Sequence, residues 1–222
     1  MKKPTPLLPF ILQKIGYVVF FVLYKIFMRV EIKGLGNLET ETGPFIFAFN
    51  HTHELDSTAI PLSLPFWSRH FPLFFVSAPK ERYKTFGWRS FLYGGKFFNA
   101  LGAYAVLSGQ QNYAYALQTH EELLKKGYSV GIFPEGKRTP DGHIGPARGG
   151  LGYLIDVSGV PVVPVAISGF LGISYMDFFL GKRKLVITIG KPMRIVVSEP
   201  HTKEAYVEAG NQVMREIGKM MK

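Results

Sequence analysis

Residues 45–56 read FIFAFNHTHELD, a run of five apolar residues that passes directly into a polar cluster. Residues 130–139, VGIFPEGKRT, repeat the arrangement, with a short apolar run ahead of a charged turn. Short apolar runs of this kind are typical of buried strands in α/β proteins. Ligand crevices in such folds open at the carboxyl ends of strands, so the two stretches predict both a fold class and a site.

The rest of the chain alternates further strand patterns with helical ones. Apolar runs predict strands at Phe45–Phe49, Leu73–Ser77, Ala103–Leu107, Val130–Phe133, Val162–Ile167 and Leu185–Ile189. Helical periodicity covers Gln110–Lys126, Ala147–Ser158 and Thr202–Met221, and another helix begins near Ser57. This alternation predicts an α/β fold with a mixed central sheet flanked by helices.

The composition favours contact with a membrane. Of the 222 residues, 47% are hydrophobic, only 19% are charged and 14% are aromatic. Aromatic rings with a polar edge concentrate at membrane–water interfaces, so the aromatic share favours a lipid surface.

The charge balance limits the classes of partner. A formal net charge of +10 favours anionic lipid headgroups or phosphorylated metabolites. Nucleic acid is not expected as a partner, because the cations are spread along the chain without a nucleic-acid-binding motif. The sequence has no cysteine, which excludes disulfides, thiolate catalysis and Cys-ligated metals. The absence of cysteine is compatible with a domain that faces the reducing cytoplasm.

Residues 1–30 form an apolar segment, and residues 31–222 are expected to form one globular domain. The segment lacks the small-residue cleavage site of a signal peptide. Its uncharged run Ile15–Tyr24 rises only about 15 Å, half of the roughly 30 Å hydrocarbon core. Helical spacing places Lys14 and Lys25 in one direction, with Arg29 about 40° further round. We therefore expect a helix lying in the membrane interface, with a helix packed on its own domain or a tilted span as alternatives.

His51 and Asp56 are the candidate catalytic pair. Positions five apart do not share a helix face, so the spacing requires His51 at a strand end and Asp56 in the first turn of the next helix. The carboxylate can then orient one ring nitrogen while the other acts as a general base. Without a serine nucleophile, the attacking group can be the substrate's own hydroxyl.

Two other interpretations of this stretch stay open. Asp56 can be a simple helix cap, with His51 an ordinary residue at a strand end. A metal-dependent hydrolase using His51, His53 and Asp56 is the second, although the stretch is not the HExxH metal-binding motif.

The turn at 133–139 is the candidate binding element. Pro134 ends the strand, and Gly136 permits a tight turn with backbone N–H groups facing the crevice. Arg138 supplies a forked donor suited to phosphate. Glu135 can either hold an arginine or contact the acceptor. A solvated surface turn is the alternative, and a buried strand just before the turn argues against it.

Together these motifs resemble those of a known enzyme family. His51 with Asp56, followed by FPEG at 133–136 and Arg138, resembles the membrane-associated 1-acylglycerol-3-phosphate acyltransferases. Val160–Val165 and Ile189–Pro192 are similar to two later blocks of that family. The resemblance implies that 31–222 is an acyltransferase domain and that the N-terminal helix is an interfacial anchor on the cytoplasmic face.

The resemblance also implies a reaction. The donor would be a fatty acyl thioester of coenzyme A or acyl carrier protein, and the acceptor a lysophospholipid. His51 would deprotonate the acceptor hydroxyl and Asp56 would orient His51, with no cofactor, metal or acyl-enzyme. Glu135, Gly136 and Arg138 would bind the acceptor phosphate.

One position departs from the family pattern. An arginine is expected where this chain has Ser108. Either another cation replaces it, with Lys80, Arg82 and Lys96 as candidates, or the acceptor carries a different headgroup. Lys80 is the replacement that we select as a substrate-binding residue.

Overall fold

The computed structural model describes residues 6–39, 41–79, 81, 95–107, 112–139 and 141–221. This part of the chain contains the strands β1 (Arg29–Lys33), β2 (Ile46–Phe49), β3 (Phe74–Ser77), β4 (Ala103–Ala105), β5 (Val130–Ile132), β6 (Val162–Ser168) and β7 (Lys184–Ile189). Its helices are α1 (Leu7–Phe27), α2 (Asp56–Ala59), α3 (Gly95–Ala100), α4 (Tyr113–Lys125), α5 (Gly149–Ser158), α6 (Tyr175–Phe179) and α7 (Lys203–Met220). Two 3₁₀ turns occupy Leu35–Glu39 and Ile60–Ser63.

The strands form one mixed sheet in the order β1-β7-β6-β2-β5-β3-β4. Only the β6–β7 pair is antiparallel; the other neighbouring strands of the described sheet are parallel. The motif-bearing strands β2 and β5 are neighbours, with Ala48 opposite Ile132 near their carboxyl ends. The predicted fold class is therefore confirmed, and the two motifs emerge side by side at one edge of the sheet.

Successive residues of β2 enter different cores. Ile46 and Ala48 are buried in a cluster shared with α4, α5 and α7. Phe45, Phe47 and Phe49 enter a second cluster, which includes residues of α1 and α2. Side chains alternate across a strand, so a strand buried on both faces must be apolar throughout. This explains the uninterrupted apolar run of residues 45–49.

Close approach of α5 and α7 depends on a glycine. A Cβ at Gly152 would lie 2.1 Å from the carbonyl oxygen of Tyr206, which is far inside van der Waals contact. The glycines of α5 lower its intrinsic helix propensity, but Gly152 allows α7 to pack directly on its backbone.

The six predicted strands and three long helices are present, with ends displaced by a few residues. The helix expected near Ser57 is short, because α2 passes into the 3₁₀ turn at Ile60–Ser63. Strand β1 was not predicted. Its sequence, RVEIK, alternates charged and apolar residues, as suits an edge strand that is only partly buried. Helices α3 and α6 were also missed, because five or six residues carry too little periodicity.

Lys14 does not contribute to the basic stripe predicted for α1. Its ammonium group hydrogen-bonds to the Phe66 carbonyl oxygen and lies 4.4 and 4.1 Å from the ring centroids of Phe66 and Phe71. Burial lowers the pKa of this group. The aromatic loop therefore draws Lys14 toward the domain, whereas Lys25 and Arg29 stay exposed. The predicted helical position of Arg29 was wrong, because α1 ends at Phe27 and Arg29 begins strand β1.

Two buried histidines make stability depend on pH. Burial lowers the pKa of His70 to about 4 and that of His120 to about 4. His70 Nδ1 contacts Ser129 Oγ at 2.9 Å, and His120 Nε2 donates to the Phe75 carbonyl oxygen at 3.1 Å. Both imidazoles are therefore neutral in the folded protein near pH 7.

We predict that the free energy of unfolding falls as the pH is lowered from about 6.5 toward about 4. In this pH range His70 and His120 bind protons in the unfolded chain but stay neutral in the folded protein. Acid therefore favours unfolding. Urea unfolding at several pH values measures the effect. His120→Gln should flatten the pH dependence, whereas replacing the exposed His143 with Gln should leave it unchanged. An equal slope in His120→Gln and the native chain would contradict the assignment.

Candidate active site

His51 follows directly on the central strand β2, at the carboxyl edge of the sheet. The preceding Asn50 is fully buried, and its side chain continues the pairing with β6. Asn50 Nδ2 donates to the Ile167 carbonyl oxygen at 2.9 Å, and the Ile167 N–H donates to Asn50 Oδ1 at 2.7 Å. These bonds fix the point at which the chain leaves the sheet, and thereby the start of the His51 loop.

His51 and Asp56 form the predicted pair. His51 Nδ1 lies 3.1 Å from Asp56 Oδ2. The same oxygen accepts the N–H groups of Thr52 and His53, each at 2.7 Å. Asp56 begins α2 and is completely buried, so it both shapes the loop and orients the imidazole. The capping alternative was wrong, because Leu55 is the N-cap residue of α2 and the Asp56 carboxylate binds N–H groups that precede the helix.

The imidazole is positioned for proton transfer. Because a carboxylate only accepts hydrogen bonds, Nδ1 carries the proton and Nε2 is left as the basic nitrogen. The Phe133 ring stacks on the imidazole, with ring centroids 4.1 Å apart. The His51 side chain is 18% exposed, so a substrate hydroxyl can reach it.

The charged turn holds the His51 backbone from both sides. The His51 N–H donates to Glu135 Oε1 at 3.1 Å, and the Thr139 N–H donates to the His51 carbonyl oxygen at 2.9 Å. Glu135 Oε2 also accepts the Gly145 N–H at 3.4 Å. Burial raises the pKa of Glu135, which is only 3% exposed, while these backbone bonds act in the opposite direction. In the structure Glu135 supports the base rather than facing solvent.

Three cations surround Gly136. Lys137 and Arg138 are exposed on the turn. Gly136 has a φ of +64°, and a Cβ there would lie 2.8 Å from Arg148 Cδ, so the Arg148 side chain lies across this glycine. Arg148 also donates its N–H to the Pro134 carbonyl oxygen at 2.8 Å. The turn that holds the His51 backbone therefore carries exposed positive charge.

Sequence reasoning did not identify Arg148. It is the N-cap residue of α5, where the positive end of the helix dipole disfavours a cation. A cation at the start of a helix is electrostatically unfavourable. Its presence there would have marked Arg148 as a functional candidate once the start of α5 was known.

Of the cations proposed to replace the missing arginine, Lys80 and Arg82 lie outside the described residues, as does Ser108 itself. Lys96 lies on α3, which packs against α1 and leads into the amino end of β4.

Some of the donor atoms that the hydrolase interpretation would use already have partners, whereas Asp56 Oδ1 is buried without a hydrogen bond to any described residue. Asp56 Oδ2 accepts three hydrogen bonds, and His53 Nδ1 accepts the Leu55 N–H at 3.2 Å. Within the described ranges, no cluster of three or more His, Cys, Asp or Glu side chains is suited to a metal ion.

Helix α1 reaches the catalytic loop. The Tyr24 hydroxyl is hydrogen-bonded to Thr58 Oγ1, and Thr58 Oγ1 donates to the Leu55 carbonyl oxygen at 2.7 Å. Tyr24 is buried, and its ring packs on Phe170. The N-terminal helix is therefore joined to the residue that immediately precedes Asp56.

Comparison with known proteins identifies related sequences. Residues 29–168 match the family model described as Acyltransferase. The chain is 31% identical over 146 residues to the chloroplastic 1-acyl-sn-glycerol-3-phosphate acyltransferase BAT2 of Brassica napus, covering 64% of this chain and 38% of that protein. It is 28% identical over 192 residues to the 1-acyl-sn-glycerol-3-phosphate acyltransferase of Bacillus subtilis, covering 85% and 87% of the two chains. The chain thus spans about two-fifths of the length of the plant relatives it matches.

A solved structure shares the fold. The 1-acyl-sn-glycerophosphate acyltransferase PlsC from Thermotoga maritima superposes with a TM-score of 0.63 at 24% identity. The match covers 94% of this chain and 78% of that one. The mixed sheet and its flanking helices therefore have an experimental counterpart.

We predict that Glu135→Ala lowers the free energy of unfolding by about 1–3 kcal/mol, because two backbone N–H groups lose their acceptor in a part-buried place. Glu135→Gln keeps an acceptor oxygen of the same reach and should recover part of the loss. Urea unfolding at pH 7 measures both. Equal midpoints for Glu135→Ala and the native chain would show that this carboxylate does not stabilise the turn.

Proposed function

Since the chain belongs to the acyltransferase family, which contains the 1-acylglycerol-3-phosphate acyltransferases, we propose that it transfers a fatty acyl group from an acyl thioester to the free hydroxyl of a lysophospholipid. The acceptor is 1-acylglycerol-3-phosphate, and the product is phosphatidic acid. The observation that carries the proposal is the 3.1 Å contact between His51 and a buried Asp56, beside a turn with exposed cations.

The mechanism follows from the dyad. Asp56 keeps the proton of His51 on Nδ1, so Nε2 takes the proton of the acceptor hydroxyl. The acceptor oxygen attacks the thioester carbonyl carbon, a tetrahedral intermediate forms, and the carbon–sulfur bond breaks. The imidazolium returns its proton to the departing thiolate. Asp56 stabilises the imidazolium between the two proton transfers.

Arg138 and Arg148 are proposed to bind the acceptor phosphate. Both are exposed. Arg138 lies two residues beyond Gly136 on the turn, and the Arg148 side chain lies across Gly136, the residue that follows the Glu135 that holds His51. Guanidinium groups bind phosphate through two parallel hydrogen bonds, which fixes the orientation of the ligand. Arg148 thereby supplies a forked donor in a chain that has serine at position 108.

The substrates place the reaction at a membrane surface. The lysophospholipid resides in a leaflet, and the exposed apolar face of α1 is suited to contact that leaflet. Coenzyme A and acyl carrier protein are both acidic, so the net charge of +10 is compatible with either as donor. We assign the enzyme to the cytoplasmic face, where these thioesters occur.

His51→Ala should lower kcat/KM for acyl transfer by about 10²–10⁴-fold, because the general base is lost. Asp56→Asn should give a decrease of similar size, since the amide can hold the wrong tautomer of the imidazole. The assay uses purified protein in mixed micelles, one labelled acyl thioester and a panel of lysolipids.

His53→Gln is the matched control, because His53 is adjacent but outside the dyad. It should retain most of the activity. Undiminished acyl transfer by the native chain in the presence of a chelator, together with loss of transfer in His51→Ala, would agree with the proposal. Undiminished transfer by His51→Ala would refute the mechanism, and loss in His53→Gln together with a metal requirement would favour the hydrolase.

Arg138→Gln and Arg148→Gln should each raise the KM for lysophosphatidic acid by about fivefold to tenfold, because a charge-assisted hydrogen bond is lost. The KM for the thioester should stay constant, and Arg148→Lys should recover part of the acceptor affinity. Steady-state kinetics at saturating thioester measure these constants.

Lys191→Gln serves as the charge control, because Lys191 is exposed beyond the end of β7, at the opposite edge of the sheet. It should leave the acceptor KM unchanged. If the arginine variants affect lysophosphatidic acid and an uncharged monoacylglycerol equally, the phosphate assignment is wrong.

A further inference from the structure

Helix α1 presents an apolar face to solvent. By length and composition its 21 residues could cross a membrane. The exposed side chains include Leu7, Ile11, Ile15, Val18, Val22 and Ile26, which follow one another at helical spacing. Gln13, Tyr17, Phe20 and Tyr24 lie on the other face, toward the domain.

The inner face of α1 is attached to the domain at both ends. Gln13 Nε2 donates to the Leu73 and Leu101 carbonyl oxygens at 2.7 and 2.8 Å, and Gln13 Oε1 accepts the Leu73 N–H at 2.9 Å. Near the other end, the Phe27 ring lies 5.5 Å from that of Phe178. A helix attached along its length cannot cross a bilayer unless the polar edges of the sheet enter it too, which is prohibitively costly. This geometry requires α1 to lie flat on its partner surface.

Two further apolar protrusions flank α1. Trp67 is 88% exposed, and its ring lies 5.9 Å from the Lys14 ammonium nitrogen near the start of the helix. At the other end, α6 exposes Met176, Phe179 and the following Leu180, with Phe179 5.2 Å from Phe27. Thirteen residues separate Lys14 from Phe27, so the protrusions stand roughly 20 Å apart along α1. Single exposed apolar residues are ordinary, but two groups at the ends of one apolar helix form an extended surface.

Cations accompany each part of this surface. Arg69 is exposed next to the Trp67 loop, Lys25 on α1, and Lys182 just beyond α6. Exposed tryptophan with neighbouring lysine and arginine is the pattern of a membrane–water interface, and it is complementary to anionic headgroups. The surface therefore fits a lipid leaflet better than a soluble partner.

Helix α6 also lies close to the catalytic loop. It belongs to the connection that leaves β6 at the carboxyl edge of the sheet, where Asn50 pairs with Ile167. The Phe170 ring of this connection lies 6.3 Å from that of His53. The Phe178 ring of α6 also packs on Tyr24, whose hydroxyl is hydrogen-bonded to Thr58 of α2. A leaflet in contact with α6 would therefore lie on the side of the domain that carries the His51 loop.

We infer that α1, Trp67 and α6 form one three-part surface, which holds α1 in the plane of an anionic leaflet and sets the catalytic edge at the headgroup level beside α6. The inference rests on the proposed function for the membrane location, and adds α6 and the Trp67 loop as docking elements. Because the two protrusions lie at opposite ends of α1, they hold both ends of the helix against the leaflet.

The first test measures binding to vesicles of phosphatidylethanolamine and phosphatidylglycerol by flotation. The triple variant Met176→Ser, Phe179→Ser, Leu180→Ser should bind roughly tenfold more weakly, because apolar area no longer leaves water on docking. All three side chains are exposed, so the variant should fold normally. Val196→Ser is the matched control: Val196 is 90% exposed but lies next to Val197 of the core shared with α4, α5 and α7.

The outcomes separate this inference from the proposed function. Weak binding by the triple variant, with normal binding by Val196→Ser and normal transfer in detergent micelles, supports the surface. Binding equal to that of the native chain would overturn the role of α6. Acyl transfer by the native chain is measured separately in micelles, so its absence would count against the function and not against the surface.

The second test follows Trp67 directly. The chain has two tryptophans, so Trp88→Phe leaves Trp67 as the only indole. Its fluorescence should shift to the blue on addition of the same vesicles and be quenched by lipids brominated near the headgroup end of the acyl chain. Fluorescence that stays unshifted and unquenched while the protein floats with vesicles would show that the Trp67 loop is not part of the docking surface.

Discussion

Parallel pairing of β2 with β5 at the centre of the sheet is the contact on which the site depends. With Ala48 opposite Ile132, the residues after the two strands leave the sheet at the same level. Glu135 then reaches the His51 N–H and Thr139 reaches the His51 carbonyl oxygen. A shift of the pairing by one residue would turn every side chain of β2 to the opposite core. The apolar packing of the strand therefore also holds His51, the proposed base, in register.

Helix α1 couples the site to the docking surface. Its inner face supplies Tyr24, which contacts Thr58 beside the His51 loop, while its outer apolar face is exposed. The helix is thus also a structural part of the second core. A leaflet that holds α1 in place also steadies the segment from Leu55 to Thr58, so membrane contact and the geometry of Asp56 depend on the same element.

The sequence predicted the parts that repeat a strong local pattern. Six strands, the long helices and the His51–Asp56 contact followed from apolar runs and from spacing. Strand β1 was not predicted, because its five residues alternate between charged and apolar side chains at the edge of the sheet. Arg148 was not predicted, because it lies ten residues beyond Arg138 and only the folded chain shows its side chain lying across Gly136, where a Cβ would collide with it. The burial of Glu135 and of Lys14 required knowledge of packing that no local pattern contains.

In the proposed function, the acceptor phosphate and the base are linked through one turn of the chain. Gly136 follows directly on Glu135, so a phosphate bound by Arg138 and Arg148 rests on the same turn that holds the His51 backbone. If the phosphate binds there as proposed, this turn contributes to the distance between the phosphate and His51 Nε2. Catalysis by positioning depends on that distance, because misplacement of about 1 Å can cost roughly 10²-fold in rate. In this proposal one short turn both supports the His51 backbone and contributes to the phosphate site, so motion of the surrounding loops would disturb the distance between them less than if two separate elements supplied these contacts.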